Sequence, residues 1–118
     1  MDKNELETRT RLFALRVVKF VRALPRNRES GVLGQQLLRS GTSVGANYRE
    51  ANRAQSRRDF IHKVALVEKE AAETQYWLSL MDGAEMGHTE ERQGLMQEAT
   101  ELVAIFTSIG KSCKAKGR

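Results

Sequence analysis

Cysteine occurs once in this 118-residue chain, at Cys113, so no disulfide can form within it. A lone thiol fits a reducing compartment and excludes the small disulfide-stapled scaffolds. Proline also occurs once, at Pro25, and aromatic residues make up 6% of the chain. That composition suits an all-helical protein better than a sandwich or a barrel. Long apolar runs are missing: no stretch approaches the roughly 18 residues of a membrane span. The start, Met1-Asp2-Lys3-Asn4-Glu5, has no apolar signal region. The expectation is a soluble, cytoplasmic protein without membrane contact. Histidine occurs twice, at His62 and His88, which suggests no Ser-His-Asp arrangement.

Apolar residues make up 40% and charged residues 30%, as in a globular and highly charged protein. The length predicts a single domain over 1–118. Four amphipathic stretches predict helices over roughly 4–24, 28–54, 57–83 and 89–114. The first carries the seam Leu6, Thr10, Phe13, Val17, Phe20, Leu24, widened by Ala14, Val18 and Val21, and Pro25 ends it. Asn27 or Ser30 is the candidate cap of the second. The third opens on Ser56-Arg57-Arg58-Asp59, which has capping-box spacing. Its seam is Phe60, Val64, Val67, Ala71, Thr74, Leu78, Met81, with Gly83 as the expected stop. The fourth opens on Thr89-Glu90-Glu91 and carries Leu95, Ala99, Leu102, Phe106, Ile109, Cys113. Lys111, Lys114 and Lys116 lie at its negative end, as the helix dipole favours, and the last few residues are expected to fray.

The second helix holds the most informative pattern. Its seam, Leu33, Leu37, Ser40, Val44, Asn47, Ala51, Ala54, runs unbroken through Ser40-Gly41-Thr42-Ser43-Val44-Gly45-Ala46. Each Gly costs about 1 kcal/mol against Ala in a helix interior, so a helix kept in register here implies compensating tight packing. Four such helices with short connections predict an antiparallel up-down-up-down four-helix bundle, roughly 37 Å long, and the 3.5-residue spacing predicts left-handed packing. A dimer of one long helical hairpin is the alternative.

Bundles can hold diiron sites through Glu-x-x-His pairs. Asp59-x-x-His62 and Glu85-x-x-His88 come near that pattern, but about 39 Å of helix separates them, too far for one centre. Cys113 beside lysines could act as a nucleophile, but it falls on the fourth seam and reads as a small packed residue. Gly41-Thr42-Ser43-Val44-Gly45 has no following Gly-Lys-Ser/Thr and no preceding strand, so it is no phosphate loop. No catalytic constellation, metal site or cofactor is expected, and the chain is not expected to be an enzyme.

Charge is unevenly placed. Residues 1–38 carry eight basic and four acidic groups, residues 39–63 six and two, residues 64–101 two and nine, and residues 102–118 four and none. One reading is an acidic helix neighbouring basic helices within the bundle, the other a basic face that attracts nucleic acid; the two are compatible. Arg49, Arg53, Arg57 and Arg58 cluster at the turn between the second and third helices, flanked by Arg39, His62 and Lys63. Arginine forks match phosphate oxygens and would give salt-dependent, sequence-independent RNA binding. A solvated helix-turn-helix end, partly paired to Glu50 and Asp59, is the competing reading. Tyr76 and Trp77 sit in a stretch apolar on more than one face, and Leu15 and Leu38 lie off their seams, so these are candidate subunit contacts. A protein-interaction scaffold without a nucleic-acid ligand is the second functional reading.

The run Pro25…Glu29…Leu33-x-x-Gln36-Leu37-x-Arg39-Ser40-x-x-Ser43-Val44-x-x-Asn47-x-x-Glu50 resembles the signature of the bacterial four-helix-bundle proteins related to the 23S rRNA intervening-sequence protein. Asp59-Phe60-Ile61 and Glu68…Glu70…Glu73 resemble that family's third helix, so the likeness covers most of the chain. It departs at Ala51, where glycine is common, and at Gly45, where proline is frequent. The resemblance implies a left-handed antiparallel bundle assembled as a ring of five, and no enzymatic activity. It also implies kinship with the accessory proteins of diversity-generating retroelements, basic pentamers that bind nucleic acid and a reverse transcriptase. The matching polar positions are Gln36, Arg39, Ser43, Asn47 and Glu50. Of these, Gln36, Ser43 and Asn47 are expected to set helix register or a subunit contact.

Overall fold

The computed structural model describes residues 1–116, and all regular structure among them is helical: α1 (Lys3–Arg22), α2 (Arg28–Asn52), α3 (Arg57–Gly83) and α4 (Thr89–Lys116). Side-chain caps set three of the starts. Asp2 accepts from the Glu5 N–H at 2.8 Å, Asn27 from the Ser30 N–H at 2.9 Å and Ser56 from the Asp59 N–H at 3.0 Å. Each cap satisfies a donor that the first turn leaves without a helical partner. Asn27 rather than Ser30 therefore caps α2, and Ser30 is buried in its first turn. The Glu5 N–H also holds the Asp2 carboxyl below its ordinary range.

The ends differ in small ways from expectation. α1 stops at Arg22, ahead of Pro25. α2 stops at Asn52 because the Arg53 and Ala54 N–H groups turn back to the Glu50 and Ala51 carbonyls at 3.1 and 3.0 Å, tightening the last turn. α3 ends at Gly83, but the left-handed residue that closes it is Glu85, at φ 54°. There the Met86 N–H reaches the Met81 carbonyl at 2.9 Å and the Glu85 N–H reaches Asp82 at 3.1 Å, the pattern of a Schellman closure. Gly87 follows at φ 78°, and a Cβ there would lie 2.6 Å from the Phe20 ring, so backbone conformation and space both demand glycine. α4 is helical to Lys116; the fraying expected of the last few residues falls at 117–118, outside the described residues.

The seams of α1, α3 and α4 form the core. Phe13, Val17, Val64, Val67, Leu78, Met81, Leu95, Leu102 and Phe106 are all almost fully enclosed. α2 packs less simply. Leu37, Ser40, Val44 and Ala51 are buried, while Leu33, Asn47 and Ala54 are half-buried, and Gly34, Gly41, Gly45 and Tyr48 complete its inner face. A Cβ on Gly41 would come within 3.0 Å of Val17, and one on Gly45 within 3.1 Å of the Thr10 hydroxyl. The small residues of α2 thus let its backbone press against α1. Tyr48 meets Phe106 edge-on at 5.2 Å, and burial pushes its phenol up. Inside the core the Thr74 hydroxyl donates to Ser40 at 2.9 Å, and every buried side-chain nitrogen and oxygen among the described residues has a partner.

Contacts between neighbouring helices run in opposite residue order. Gly45 meets Thr10, Gly41 meets Val17 and Gly34 meets Val21; on the other side Asp82 pairs with Arg92, Gln75 with Thr100 and Glu68 with Thr107. α1 borders α2 and α4, α3 borders the same two, and α1 and α3 stand diagonally opposite. The α1–α4 approach is the sparsest, closed by Arg9 on Glu98 at 2.7 Å and Glu101 at 2.9 Å. Those two carboxylates hold the guanidinium firmly protonated. The molecule measures 49 × 23 × 21 Å, and no helix among the described residues is long and apolar enough to cross a membrane.

Candidate nucleic-acid interface

The six cations singled out in sequence do not form one cluster. Arg39 lies at mid-bundle, about 15 Å along α2 from Arg49. Its guanidinium donates to Glu70 at 3.3 Å, to Glu73, and to the Gln36 amide oxygen at 3.4 Å. The Trp77 indole N–H donates to the same Glu73 at 3.3 Å. Arg39, Gln36, Glu70, Glu73 and Trp77 therefore make one polar bridge from α2 to α3. The Ser43 hydroxyl is satisfied on its own helix by the Arg39 carbonyl at 2.6 Å, and Asn47 is half-buried.

Arg49 is drawn to α1, where its Nε lies 3.6 Å from Glu7; Asn52 donates to the same carboxylate at 2.8 Å. Lys63 pairs with Asp59 at 3.1 Å, one turn earlier on α3. Glu50 makes no ion pair among the described residues and Asp59 takes Lys63 rather than an arginine, so the competing reading loses its pairing to those two acids but keeps its solvated arginines. That leaves Arg53, Arg57 and Arg58, all exposed and none within 4.0 Å of a carboxylate among the described residues.

Two further basic groups arrive at the same end. Lys111 and Lys114 of α4 are exposed and line a shallow groove with Ile61, Ala65 and Glu68 of α3. In the sequence they read only as partners of the α4 dipole. The usable signal is topological: the end of α4 must return to the start of α3. A second basic surface is α1 itself. Between Glu7 and Glu29 the chain holds seven basic residues and no acidic one. Only Arg9 among them makes an ion pair among the described residues; Arg11, Arg16, Lys19, Arg22, Arg26 and Arg28 are exposed.

Tyr76 is 56% exposed and stands edge-on to Trp77 at 5.2 Å. Leu15 is 41% exposed, whereas Leu38 packs against the core and is not available for a contact in the way Leu15 is. Among the described residues no group of three or more His, Cys, Asp or Glu side chains is placed to hold a metal ion. Cys113 is a half-buried free thiol in the last turns of α4.

The model of the 23S rRNA-intervening sequence protein family matches residues 2–108. A crystal structure of a protein of unknown function from the S23 ribosomal protein family, from Bacteroides thetaiotaomicron, is 40% identical. It superposes with a TM-score of 0.85 over 94% of this chain and 99% of that one. No curated protein matches. A match over so much of the chain, on residues that build α1 to α4 alike, places it: the protein belongs to the 23S rRNA-intervening sequence protein family.

Proposed function

We propose that this protein is a non-enzymatic, cytoplasmic helical bundle that assembles as a ring of five and binds RNA through the end where α2 turns into α3. The observation that carries the RNA reading is unneutralised charge: Arg53, Arg57 and Arg58 are exposed without a carboxylate partner among the described residues, and Lys111 and Lys114 reach the same end. Guanidinium forks suit phosphate oxygens, and release of counterions would drive binding without base readout. The bundle is read as up-down-up-down and left-handed, supported by the reversed contact order and the 3.5-residue spacing. The ring of five rests on the family resemblance.

Fluorescence anisotropy with a short labelled RNA tests the binding. Affinity should fall by roughly 10²-fold between about 50 and about 200 mM salt, as five neutralised phosphates on a single strand require. Arg53→Glu, Arg57→Glu and Arg58→Glu together should remove detectable binding, and Arg53→Gln, Arg57→Gln and Arg58→Gln should flatten the salt slope by about three. Affinity unchanged by those substitutions overturns the reading. Light scattering should give about five times 13.3 kDa, and a monomer mass refutes the ring. Exposed Tyr76, standing edge-on to half-buried Trp77, favours a second reading, a protein-interaction scaffold without a nucleic-acid ligand. A pull-down that recovers RNA but no protein counts against it.

A further inference from the structure

Two unlike apolar patches lie on opposite sides of the bundle. On α1, Leu12 and Leu15 are 52% and 41% exposed and are set among the unpaired cations Arg11, Arg16, Lys19 and Arg22. On α3, Leu66, Tyr76 and Leu80 are 39%, 56% and 39% exposed, and the segment 64–83 carries four acidic residues against one basic. The apolar pairs match in extent: Leu12 to Leu15 spans about 4.5 Å of α1 and Tyr76 to Leu80 about 6 Å of α3 at 1.5 Å per residue. Because α1 and α3 are diagonal, these opposite charges cannot meet within one molecule.

We propose that copies of this chain join head-to-tail, the outer face of α1 in one copy docking on the outer face of α3 in the next; this rests on the assembly proposed above. Leu12 and Leu15 would cover Leu80 and Tyr76. The α1 cations would lie over the Tyr76 and Trp77 rings and beside Glu73, whose cluster with Glu70 and Arg39 keeps one net negative charge. A symmetric contact is disfavoured on both faces, since α1 on α1 opposes cation to cation and α3 on α3 opposes acid to acid. Exposed leucines gain nothing from a phosphate backbone, which argues against nucleic acid as the occupant of this face. Unlike patches leave each joined copy one free face, so head-to-tail copies close into a ring where the rotation between them closes and run on as a filament where it does not.

The test uses two full-length variants, Leu12→Glu with Leu15→Glu, and Tyr76→Glu with Leu80→Glu, in sedimentation velocity. All four positions are exposed, and circular dichroism confirms that each variant is helical and melts cooperatively. If the first does not fold, Arg11→Glu with Lys19→Glu and Arg22→Glu replaces it. Each variant alone should run at 13.3 kDa, and an equimolar mixture should form a species of twice that mass and stop there. One good α3 face then meets one good α1 face, and the two blocked faces end the chain. A variant that alone keeps the wild-type mass, or a mixture that stays at 13.3 kDa, overturns the face assignment while leaving assembly intact. A wild-type protein at 13.3 kDa overturns the assembly itself, and the contact with it. A first variant that keeps the wild-type mass but loses RNA affinity assigns the α1 face to nucleic acid instead.

Discussion

Arg92 is 3% exposed, and its guanidinium is taken up by three acceptors: Asp82 at 2.8 Å and the carbonyls of Met86 and Gly87 at 2.7 and 3.0 Å. It fastens the α3–α4 connection to the first turn of α4, using donors that point in several directions at once. Arg92→Ala would leave a carboxylate and two carbonyls short of a partner. The expected cost is about 2–4 kcal/mol, read from urea unfolding with an unchanged m-value. Arg92→Lys should recover less than half, because one ammonium cannot reproduce a planar fork. The same connection holds the opposite kind of residue. Glu85 sits at φ 54° with a full side chain and no ion pair among the described residues. Glu85→Gly should therefore stabilise the protein by about 0.5–1 kcal/mol, since only the backbone strain is removed. A lower melting temperature would show that the Glu85 side chain contributes something the Schellman closure does not need.

Along α2 the same substitution should act with opposite signs at two positions. Gly31 is exposed with nothing within 4 Å of a built Cβ, so Gly31→Ala should gain about 1 kcal/mol from helix propensity alone. Gly41 faces the Val17 side chain at 3.0 and 3.1 Å, so Gly41→Ala must push α1 away and should lower the thermal midpoint despite the same propensity gain. These positions also show what could be read before the structure. The helices were legible because apolar residues recur at three- and four-residue steps, and the buried seams of α1, α3 and α4 follow those steps. On α2 the true inner face lies one residue over from part of the expected seam. Gly34, Gly41 and Tyr48 take inner positions beside Leu33, Ser40 and Asn47: the glycines implied tight packing but carry no side chain to mark a seam, and Tyr48 falls between the seam's steps. Arg92 lies three residues before Leu95, in phase with the α4 seam, and only its residue type hid it. In the candidate site, Arg53, Arg57 and Arg58 were legible because they are close in sequence. The partners of Arg39 and Arg49 were not, since Glu70, Glu73 and Glu7 lie tens of residues away on other helices.

At the scale of the whole molecule, α1 is the helix most exposed to pH. It rests on α2 through close backbone packing, but it meets α4 sparsely and through the Arg9 clamp. Two carboxyls with lowered pKa bear on it. The Glu5 N–H holds Asp2 below 3.8 at the start of α1, and the Gln97 amide, then Arg9, hold Glu101 below 4.5 on the α4 side. As pH falls through those ordinary values, the unfolded chain takes up protons first and the folded chain resists, so stability drops with acid. Above the ordinary values both contributions are complete and the curve should be flat. The urea midpoint should thus hold steady from pH 7 to about 5 and fall below about 4. Asp2→Asn keeps a capping acceptor and Glu101→Gln keeps an amide oxygen for Arg9, but neither titrates. The double variant should be less stable than wild type at pH 7 and should lose less on going to pH 3. Parallel acid limbs for the two proteins would overturn the assignment of the acid sensitivity to Asp2 and Glu101.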